Sequence, residues 1–329
     1  MSLIRKLGAL VLVGAAAGGY AIWRVERPYQ GFQGDVFIEF SKGTPTGAMA
    51  DKLADAGVVR SRWDFLLARL LHRNGVLQAG EYRFQHAASA AEIVSRIGRG
   101  DIHYYELVVP EGKNLFDIGG LVEELGLIKA SDFVAAAKNP ALIRDLDPKA
   151  PSLEGYLFPN TYRLSRHTSA ERLCQIMTLK FRETWKSLHT TADVHETVTL
   201  ASLVEKEDKL PDERSRIAAV FANRLRIGMK LDCDPTTIYA AVLQGRYNGV
   251  IHRSDLASDH PYNTYRHTGL PPGPIANPGV AGLRAALEPA EIDSLYFVAR
   301  ADGSGGHEFS SNIAAHESAV ERYRRGLRK

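Results

Sequence analysis

The feature that most constrains this sequence is a long uncharged stretch near its N-terminus, Leu7–Trp23, directly preceded by Arg5 and Lys6. As a helix, its roughly 17 residues rise about 1.5 Å each and span about 25 Å, close to the thickness of a bilayer's hydrocarbon core. Tyr20 and Trp23 lie near its end, where aromatic side chains anchor a helix at the membrane interface. The stretch therefore predicts a transmembrane anchor that exports the remainder of the chain.

Two other interpretations of this stretch compete with the anchor. The run Ala15-Ala16-Ala17 resembles the small-residue site at which a secretory signal peptide is cleaved. A buried core helix is the third interpretation, and the terminal position behind two basic residues disfavours it. The anchor and the signal peptide both place the body of the protein outside the cytoplasm.

The overall composition is that of a globular protein and excludes several classes. Of 329 residues, 45% are apolar and 24% are charged, so the chain has enough apolar material for a packed core. The formal net charge of +3 is too close to neutral for a dedicated nucleic-acid-binding protein. No glycine-rich phosphate-binding motif occurs, and we therefore expect no nucleotide or other cofactor.

The cysteines and histidines do not show the spacing of a metal site. Cys174 and Cys233 are too few for a disulfide framework or a four-thiolate zinc site. Cys233 also lies beside two aspartates, which disfavour a thiolate. The histidines form neither an H-E-x-x-H motif nor a close ligand pair, and we expect no bound metal.

Beyond the anchor, the pattern predicts a short tether and then a small module of strands and helices. The segment 24–34 is polar, contains Pro28 and two glycines, and is expected to be the tether. The module is expected over 35–109. Its predicted elements are strands at Val36–Phe40, Gly80–Phe84 and Tyr104–Val109, and helices after Pro45, over Trp63–Leu71 and after the N-cap Ser89.

Helices dominate the larger region, 110–329. Apolar periodicity predicts them over Leu115–Leu125, Ser131–Lys138, Ser169–Leu188, Asp193–Asp208, Asp212–Ile227, Thr236–Leu243 and Gly279–Leu287. The last elements are a hairpin of strands Leu295–Ala299 and His307–Phe309, then a basic amphipathic helix over Asn312–Arg325. With 1–6 as a cytoplasmic start and 7–23 as the anchor, the predicted fold class is α+β.

Two glutamates on one predicted helix are the main candidates for chemistry. Glu205 and Glu207 are two positions apart, so their side chains project from faces of the helix about 160° apart. Each of these faces is largely apolar. An apolar setting raises the pKa of a carboxyl group, as a general acid near neutral pH requires. The alternative role is a structural ion pair, for instance with Arg214 or Arg224. The opposite projection makes the two glutamates a poor pair for ordinary two-carboxylate glycosidase chemistry.

Two further segments are candidates for substrate contact. Asp234 precedes Pro235, so it is either the N-cap of a helix that starts at Thr236 or a substrate ligand. The segment 262–278 is rich in proline, glycine, tyrosine and asparagine, which predicts a stiff irregular loop. Amides and aromatic rings on such a loop suit sugar binding, and a plain surface loop is the alternative.

Several motifs occur together in the order typical of one family. They are Glu154–Tyr162, Ala201–Glu207, Val220–Leu225, Gly228-Met229, Asp234–Thr236, Tyr239, Tyr262–Tyr265, Gly269–Ile275, Tyr296–Val298 and His307-x-Phe309. In this combination the chain resembles the YceG-like family, the membrane-anchored endolytic murein transglycosylases of the MltG type. The resemblance covers essentially the whole chain, including the anchor.

The resemblance implies both a fold and a reaction. It implies a LysM-like module followed by a lysozyme-like transglycosylase domain. The implied enzyme is a carbon–oxygen lyase that cuts peptidoglycan internally between N-acetylmuramic acid and N-acetylglucosamine without water. One glutamate acts first as acid and then as base, and the product carries a 1,6-anhydro end. Cutting nascent strands in this way terminates glycan elongation.

The resemblance also implies which residues act. The family has Glu-Thr where this chain has Glu207-Asp208, and lysozyme-like enzymes have Glu-Ser, which places the catalytic acid at Glu207. Glu205 is the alternative catalytic residue, and Asp208 departs from the pattern. The residues expected to hold sugar are Glu154, Asn223, Asp234, Asn263 and Tyr265.

The implied setting is the outer face of a bacterial inner membrane, with a single-pass anchor and a periplasmic catalytic domain. The expected partners are peptidoglycan strands, penicillin-binding synthases and the elongation or division machinery. One alternative is a membrane-tethered, non-catalytic glycan-binding scaffold for those synthases. Another is an ordinary glycoside hydrolase, which needs a second carboxylate such as Asp234 or Glu154 about 5–9.5 Å from the first.

Overall fold

The structure is a computed structural model that describes residues 2–72, 75–207 and 210–326. The chain divides into two compact units. The first comprises Met1–Tyr105 and Arg163–Arg166, and the second comprises Glu106–Tyr162 and His167–Lys329. Both helices and strands occur throughout, as the α+β expectation requires.

The first unit is a small α/β structure built on one antiparallel strand pair. Its elements are α1 (Ser2–Glu26), β1 (Val36–Phe40), α2 (Thr46–Asp55), α3 (Arg62–Leu71), β2 (Gly80–Phe84) and α4 (Ala90–Arg99). Val36 pairs with Phe84 and Phe40 with Gly80, so alternate apolar side chains of both strands face the same core. Ser89 and Glu92 form the capping box of α4, which confirms the predicted cap.

The N-terminal helix α1 extends beyond the predicted span at its C-terminal end. Its segment Leu7–Glu26 is long and apolar enough to cross a membrane, and most of its surface is exposed. Its last turn, however, belongs to the core of the first unit. Val25 is fully buried there, and Arg24 donates from Nε to Oδ1 of Asp64 over 2.7 Å.

The structure corrects the expectation of a free tether over 24–34. The first three of these residues are helical, and the following residues are hydrogen-bonded to the first unit. Tyr29 forms a β-bridge with Ala88, and the amide of Gly31 donates to the carbonyl of Gly57 over 2.9 Å. Polar composition does not make a segment flexible when its backbone groups find partners on a packed surface.

The second unit contains helices α5 to α13 and the strand pair β5–β6, and most residues of β3 and β4 also belong to it. The helices are α5 (Leu115–Glu124), α6 (Ala130–Ala137), α7 (Ala170–Ser187), α8 (Val194–Glu207), α9 (Arg214–Arg226), α10 (Asp234–Leu243), α11 (Arg253–Leu256), α12 (Val280–Leu287) and α13 (Ile313–Gly326). The strands are β3 (Tyr105–Val109), β4 (Asn160–Leu164), β5 (Tyr296–Ala299) and β6 (His307–Ser310). Sequence patterns missed β4, which pairs with β3, and the one-turn helix α11. Strand β4 has only two inward positions, too few for a recognisable alternation.

Helix α8 forms the centre of the second unit. Every residue from Thr197 to Val204 is buried, and the last apolar residues of this run pack against apolar side chains of α9, α10 and α12. Gly282 lets α12 approach closely, because a Cβ atom there would lie 2.7 Å from Oε2 of Glu205. The antiparallel hairpin β5–β6, predicted from sequence, pairs Tyr296 with Ser310.

A buried carboxyl group joins three parts of the second unit. Glu154 is 1% exposed and receives hydrogen bonds from the amide of Leu115, the amide side chain of Asn277 and the hydroxyl of Tyr239. These groups belong to the start of α5, the proline-rich loop and α10 respectively. Burial raises the pKa of Glu154 to about 8, against the hydrogen bonds that favour its ionised form.

The end of the proline-rich loop is therefore part of the core, so the loop is not exposed for sugar binding along its whole length. Ile275, Ala276 and Asn277 are all buried. The side chain of Asn277 accepts from the amide of Leu157 over 2.8 Å and donates to the carbonyl of Lys113 over 2.9 Å. Irregular backbone becomes stable in a protein interior when side-chain amides satisfy it in this way.

We expect Glu154→Gln to remove a pH dependence of stability. Because the pKa of Glu154 is higher in the folded than in the unfolded protein, the folded state binds more protons between about pH 5 and pH 8, and the wild type loses stability as the pH rises through that window. Glutamine mimics the protonated acid, accepting from Leu115 and Asn277 and donating to Tyr239. Urea unfolding at several pH values measures this effect.

The matched variant is Glu154→Ala, which leaves the buried donors without an acceptor. It should lower the free energy of unfolding by about 2–4 kcal/mol at every pH in the window. A glutamine variant that is destabilised as much as the alanine variant would show instead that the native group is an ionised acceptor.

Candidate active site

Glu207, the last residue of α8, lies at the wall of an open cavity in the second unit. The cavity has a volume of about 410 Å³, within the range of small-ligand sites. Its lining residues are Glu207, Phe221, Arg224, Leu231, Asp232, Cys233, Asp234, Tyr265, Tyr296, Phe297, Ile313 and His316. Carboxylates, a guanidinium and aromatic rings therefore face one space.

The two glutamates of α8 occupy different environments, as their spacing predicts. Glu205 points away from the cavity, and its side chain is 6% exposed. Arg214 lies 3.4 Å from its Oε1, and the amide of Gly279, the N-cap of α12, donates to its Oε2 over 3.3 Å. The structural ion pair considered for Glu205 is thus present, and it ties α8 to the beginnings of α9 and α12.

Cys233 contacts the carboxyl group of Glu207. Its Sγ donates to Oε1 of Glu207 over 3.3 Å. Burial, and then the negative charge of Glu207, raise the pKa of the Cys233 thiol well above its ordinary value. The thiol therefore stays protonated and acts as a weak donor to the carboxylate. The sequence indicated that a thiolate is disfavoured at Cys233 but gave no signal for this contact.

Asp234 and Tyr265 form a polar pair on the cavity wall. Helix α10 begins at Asp234 and its N-cap is Cys233, so Asp234 is not the predicted cap of a helix starting at Thr236. Its carboxylate instead accepts a hydrogen bond of 2.6 Å from the Tyr265 hydroxyl. Burial, and then that hydrogen bond, raise the pKa of Tyr265, which keeps the phenol protonated as a donor.

Arg224 forms another part of the wall, which sequence analysis considered only as an ion-pair partner for the glutamates. Its guanidinium donates to the carbonyls of Leu295 and Leu231 over 2.6 and 2.8 Å and lies 3.7 Å from Asp232. It also lies over the ring of Tyr296, 5.3 Å from the centroid. These bonds connect the α9–α10 loop with the start of the β5–β6 hairpin.

Asp232 is held in an unusual backbone conformation beside this guanidinium. Its φ of +45° is in the left-handed region, which costs a non-glycine residue about 1–3 kcal/mol. Burial raises the pKa of Asp232, opposed by the charge of Arg224. Strained residues concentrate at functional sites, so Asp232 is a site candidate that sequence patterns did not identify.

The β5–β6 hairpin is fixed in place by a second buried carboxyl group. Glu213 accepts from the backbone amide of His307 over 3.0 Å, and its Oε2 lies 2.7 Å from Nδ1 of the same residue. This clamp holds the strand pair that places Tyr296 and Phe297 in the cavity. Tyr296 in turn stacks on His316 of α13 at a centroid distance of 5.0 Å.

Three residues expected to hold sugar do not line this cavity. Glu154 is in the buried junction described above. Asn263 is fully buried and donates to backbone carbonyls that include those of Leu256 and Ser258. Asn223 donates to the carbonyls of Ile292 and Ser294. The structure thus brings together Glu207, Asp234 and Tyr265, whereas the hydrogen bonds of the other three stabilise the surrounding backbone.

A second cavity and the absence of a metal-binding group among the described residues also bear on where the active site lies. A larger cavity of about 620 Å³ is lined by residues of α6, of α7 and of the segment that follows α6, and none of the described residues that line it is aromatic. Among the residues that the structure describes, no group of three or more histidine, cysteine, aspartate or glutamate side chains is arranged to hold a metal ion. Asp208, which departs from the family pattern, lies outside the described residues.

Comparison with known proteins gives a consistent result. An endolytic murein transglycosylase of Bacillus subtilis is 33% identical over 309 residues, covering 88% of this chain and 84% of that protein. A protein of the same name from Streptococcus pneumoniae is 29% identical over 321 residues, covering 87% of this chain and 58% of its own length.

The crystal structure of a putative yceG-like protein from Listeria monocytogenes has the same fold. It is 30% identical in sequence, superposes with a TM-score of 0.55, and the match covers 86% of this chain and 98% of that one. The model of the YceG-like family matches residues 38–322. The chain therefore belongs to the YceG-like family.

Proposed function

We propose that this protein is an endolytic peptidoglycan lytic transglycosylase with Glu207 as its catalytic acid and base. The observation that carries the proposal is the position of Glu207 in an open cavity beside Asp234 and Tyr265, while Glu205 is engaged elsewhere. Family membership and the names of the related proteins support the reaction class. The bond cut joins N-acetylmuramic acid to N-acetylglucosamine.

One carboxyl group is sufficient for this reaction because water does not attack. Protonated Glu207 gives its proton to the glycosidic oxygen as the bond to C1 of muramic acid breaks. The N-acetyl group of the substrate stabilises the resulting positive centre. The Glu207 carboxylate then removes the proton from the C6 hydroxyl, whose oxygen bonds to C1 and closes the 1,6-anhydro ring. Glu207 ends protonated, as it began.

The remaining candidates divide into residues that contact sugar and residues that position them. Asp234 and Tyr265 line the cavity, and we assign them to sugar hydroxyl or acetamido groups. Asn263 acts through its Oδ1, which accepts from the amide of Tyr265 over 3.0 Å. Asn223 supports the backbone just before β5, which carries Tyr296 into the site. Glu154 supports the fold behind them.

The setting of the reaction follows from the N-terminal helix. We propose that α1 is a single-pass anchor in the bacterial inner membrane and that both units are periplasmic. The first unit then serves as a LysM-like glycan-binding module, and the second as a lysozyme-like catalytic domain. Nascent peptidoglycan strands and their synthases are the partners expected there.

A hydrolase is the second candidate function because further carboxylates line the same cavity. Asp232 and Asp234 both face the space next to Glu207, as a second catalytic carboxylate would. Mass spectrometry of products from purified glycan strands separates the two reactions. An anhydro end has one water less than a reducing end, so the two products differ in mass. Products with reducing ends would identify a hydrolase. If no strands are cleaved, the protein is the non-catalytic glycan-binding scaffold.

Substitution of the two glutamates should have opposite consequences. Glu207→Gln should abolish anhydro products while changing the free energy of unfolding by less than about 1–2 kcal/mol. Glu205→Gln, the matched control on the same helix, weakens the ion pair with Arg214 and should cost about 1–3 kcal/mol of stability with much of the turnover retained. Retained turnover in the first variant and lost turnover in the second would reverse the assignment.

The cysteine contact should tune the pH profile. Because the Cys233 thiol donates to Glu207, removing this donor in Cys233→Ala should raise the pKa of the Glu207 carboxyl group. The fall of kcat on the alkaline side of its pH profile should then occur about 0.5–1 pH unit higher than in the wild type. A hydroxyl is a stronger donor than a thiol, so Cys233→Ser should shift the alkaline fall of kcat to lower pH.

The matched control for these variants is Cys174→Ala, a buried cysteine of α7 that does not line the cavity. For Cys174→Ala, the alkaline fall of kcat should occur at the same pH as in the wild type. Shifts of the same sign in both Cys233 variants would contradict the assigned role and indicate a packing defect.

Endolytic cutting makes a prediction about the product lengths. An enzyme that grips a strand on both sides of the cleaved bond uses binding energy from both sides for orientation. Mid-length chains should therefore appear at the earliest times when long uncrosslinked strands are digested. Chromatography of a time course measures this distribution, and disaccharides that accumulate from the first time point would contradict it.

A further inference from the structure

Helix α3 of the first unit has an apolar face that the described residues of the protein do not cover. Asp64, Phe65 and Ala68 form its buried side. On the opposite side, Trp63 is 70% exposed and Leu70 is 55% exposed, and Leu71 is also exposed. Trp63, Leu70 and Leu71 recur at the spacing i, i+7 and i+8, and Leu67 at i+4 is partly buried against the core of the first unit. The three exposed residues lie on one face of the helix, which we call the α3 stripe.

Both ends of α3 are tied to the last turn of α1. Near the start of α3, Asp64 receives two hydrogen bonds from Arg24, of 2.7 and 3.1 Å. At its end, His72 lies 3.1 Å from Oε1 of Glu26. Val25, between the two anchoring residues, is buried in the core of the same unit. Helix α3 is thus held beside the point at which α1 ends.

That point carries the side chains typical of a membrane interface. Tyr20 and Trp23 are exposed on α1, with their ring centroids 5.7 Å apart. The guanidinium of Arg27 lies over the ring of Trp23 at 4.8 Å. Aromatic rings that combine an apolar body with a polar edge settle at the level of lipid headgroups, as do arginines on long aliphatic stems. Trp23 lies within one helical turn of both Arg24 and Glu26.

The edge of the α3 stripe repeats the same chemistry. Arg62 and Arg69 flank the apolar residues on one side, and the guanidinium of Arg62 lies 5.4 Å from the ring centroid of Trp63. An amphipathic helix with tryptophan and leucine on one face and arginine at its border is suited to lie in a lipid interface. The stripe lies beside the end of α1, and this position favours a lipid surface as its occupant.

We infer that the α3 stripe rests on the outer surface of the bilayer that α1 spans, with Trp63, Leu70 and Leu71 at the boundary of headgroups and acyl chains. The inference depends on the proposed membrane anchor and extends it. Because α1 continues without a flexible joint into the core of the first unit, the lipid contact fixes the orientation of that unit. The first unit is therefore held at the membrane surface rather than moving on a tether.

Site-directed spin labelling of the full chain in liposomes tests this contact. The native cysteines are both buried, so single reporters can be introduced at Leu70→Cys, Val11→Cys and Leu179→Cys after both are replaced by alanine. Leu179, on α7 of the second unit, is the matched control because it is a helical leucine that is 54% exposed. Collisions with oxygen, which concentrates in lipid, are compared with collisions with a water-soluble nickel complex.

The expected result is a gradient of the oxygen-to-nickel ratio. The label at Val11 should show the highest ratio, the label at Leu70 a ratio several-fold above that at Leu179, and the label at Leu179 a fully aqueous value. The ratio at Leu70 should fall to the Leu179 value when the protein is transferred from liposomes to a detergent-free amphipathic polymer that encloses α1 alone.

Each other outcome overturns a different statement. If the label at Val11 is in lipid and the label at Leu70 is in water, the lipid contact of α3 is refuted and the membrane anchor is supported. An aqueous label at Val11 would refute the anchor itself. A label at Leu70 that is shielded from both collision partners would show that a protein surface, such as a second copy of this chain, covers the stripe instead.

Discussion

The structure of the second unit depends on the burial of helix α8. All residues from Thr197 to Val204 are buried, so the direction of each side chain near the end of this helix is determined by the packing around it. Glu205 is directed to Arg214 and the start of α12, and Glu207 to the cavity. Two carboxyl groups two residues apart thereby acquire different surroundings: Glu205 connects helices and Glu207 lines the cavity.

The cavity at Glu207 is assembled from elements that are far apart in sequence. Its opposite walls come from the α9–α10 loop and from the β5–β6 hairpin, and Arg224 bonds to carbonyls of both. Glu213 fixes the hairpin through His307, and Asn263 fixes the backbone of Tyr265. Buried polar groups of this kind contribute little net stability, but they select one arrangement because any other leaves them without partners.

The N-terminal helix couples the proposed membrane anchor to the first unit. A spanning helix that ends in a polar linker permits the attached domain to rotate, whereas α1 ends with Val25 in the core and Arg24 paired with Asp64. With the proposed anchor and the inferred lipid contact, helix geometry would set the position of the first unit relative to the membrane surface.

The sequence alone determined the helices and strands with strong periodicity, the opposite projection of Glu205 and Glu207, and the family, because local spacing and ordered motifs carry that information. It did not reveal that Glu154, Asn223 and Asn263 bond inward, since an asparagine or glutamate in a polar-rich motif looks the same whether it contacts sugar or backbone. It also missed the contact from Cys233, the strained Asp232 and the docking of 24–34. Only tertiary structure decided these features, because each depends on partners distant in the chain whose positions are set by the packing of whole elements.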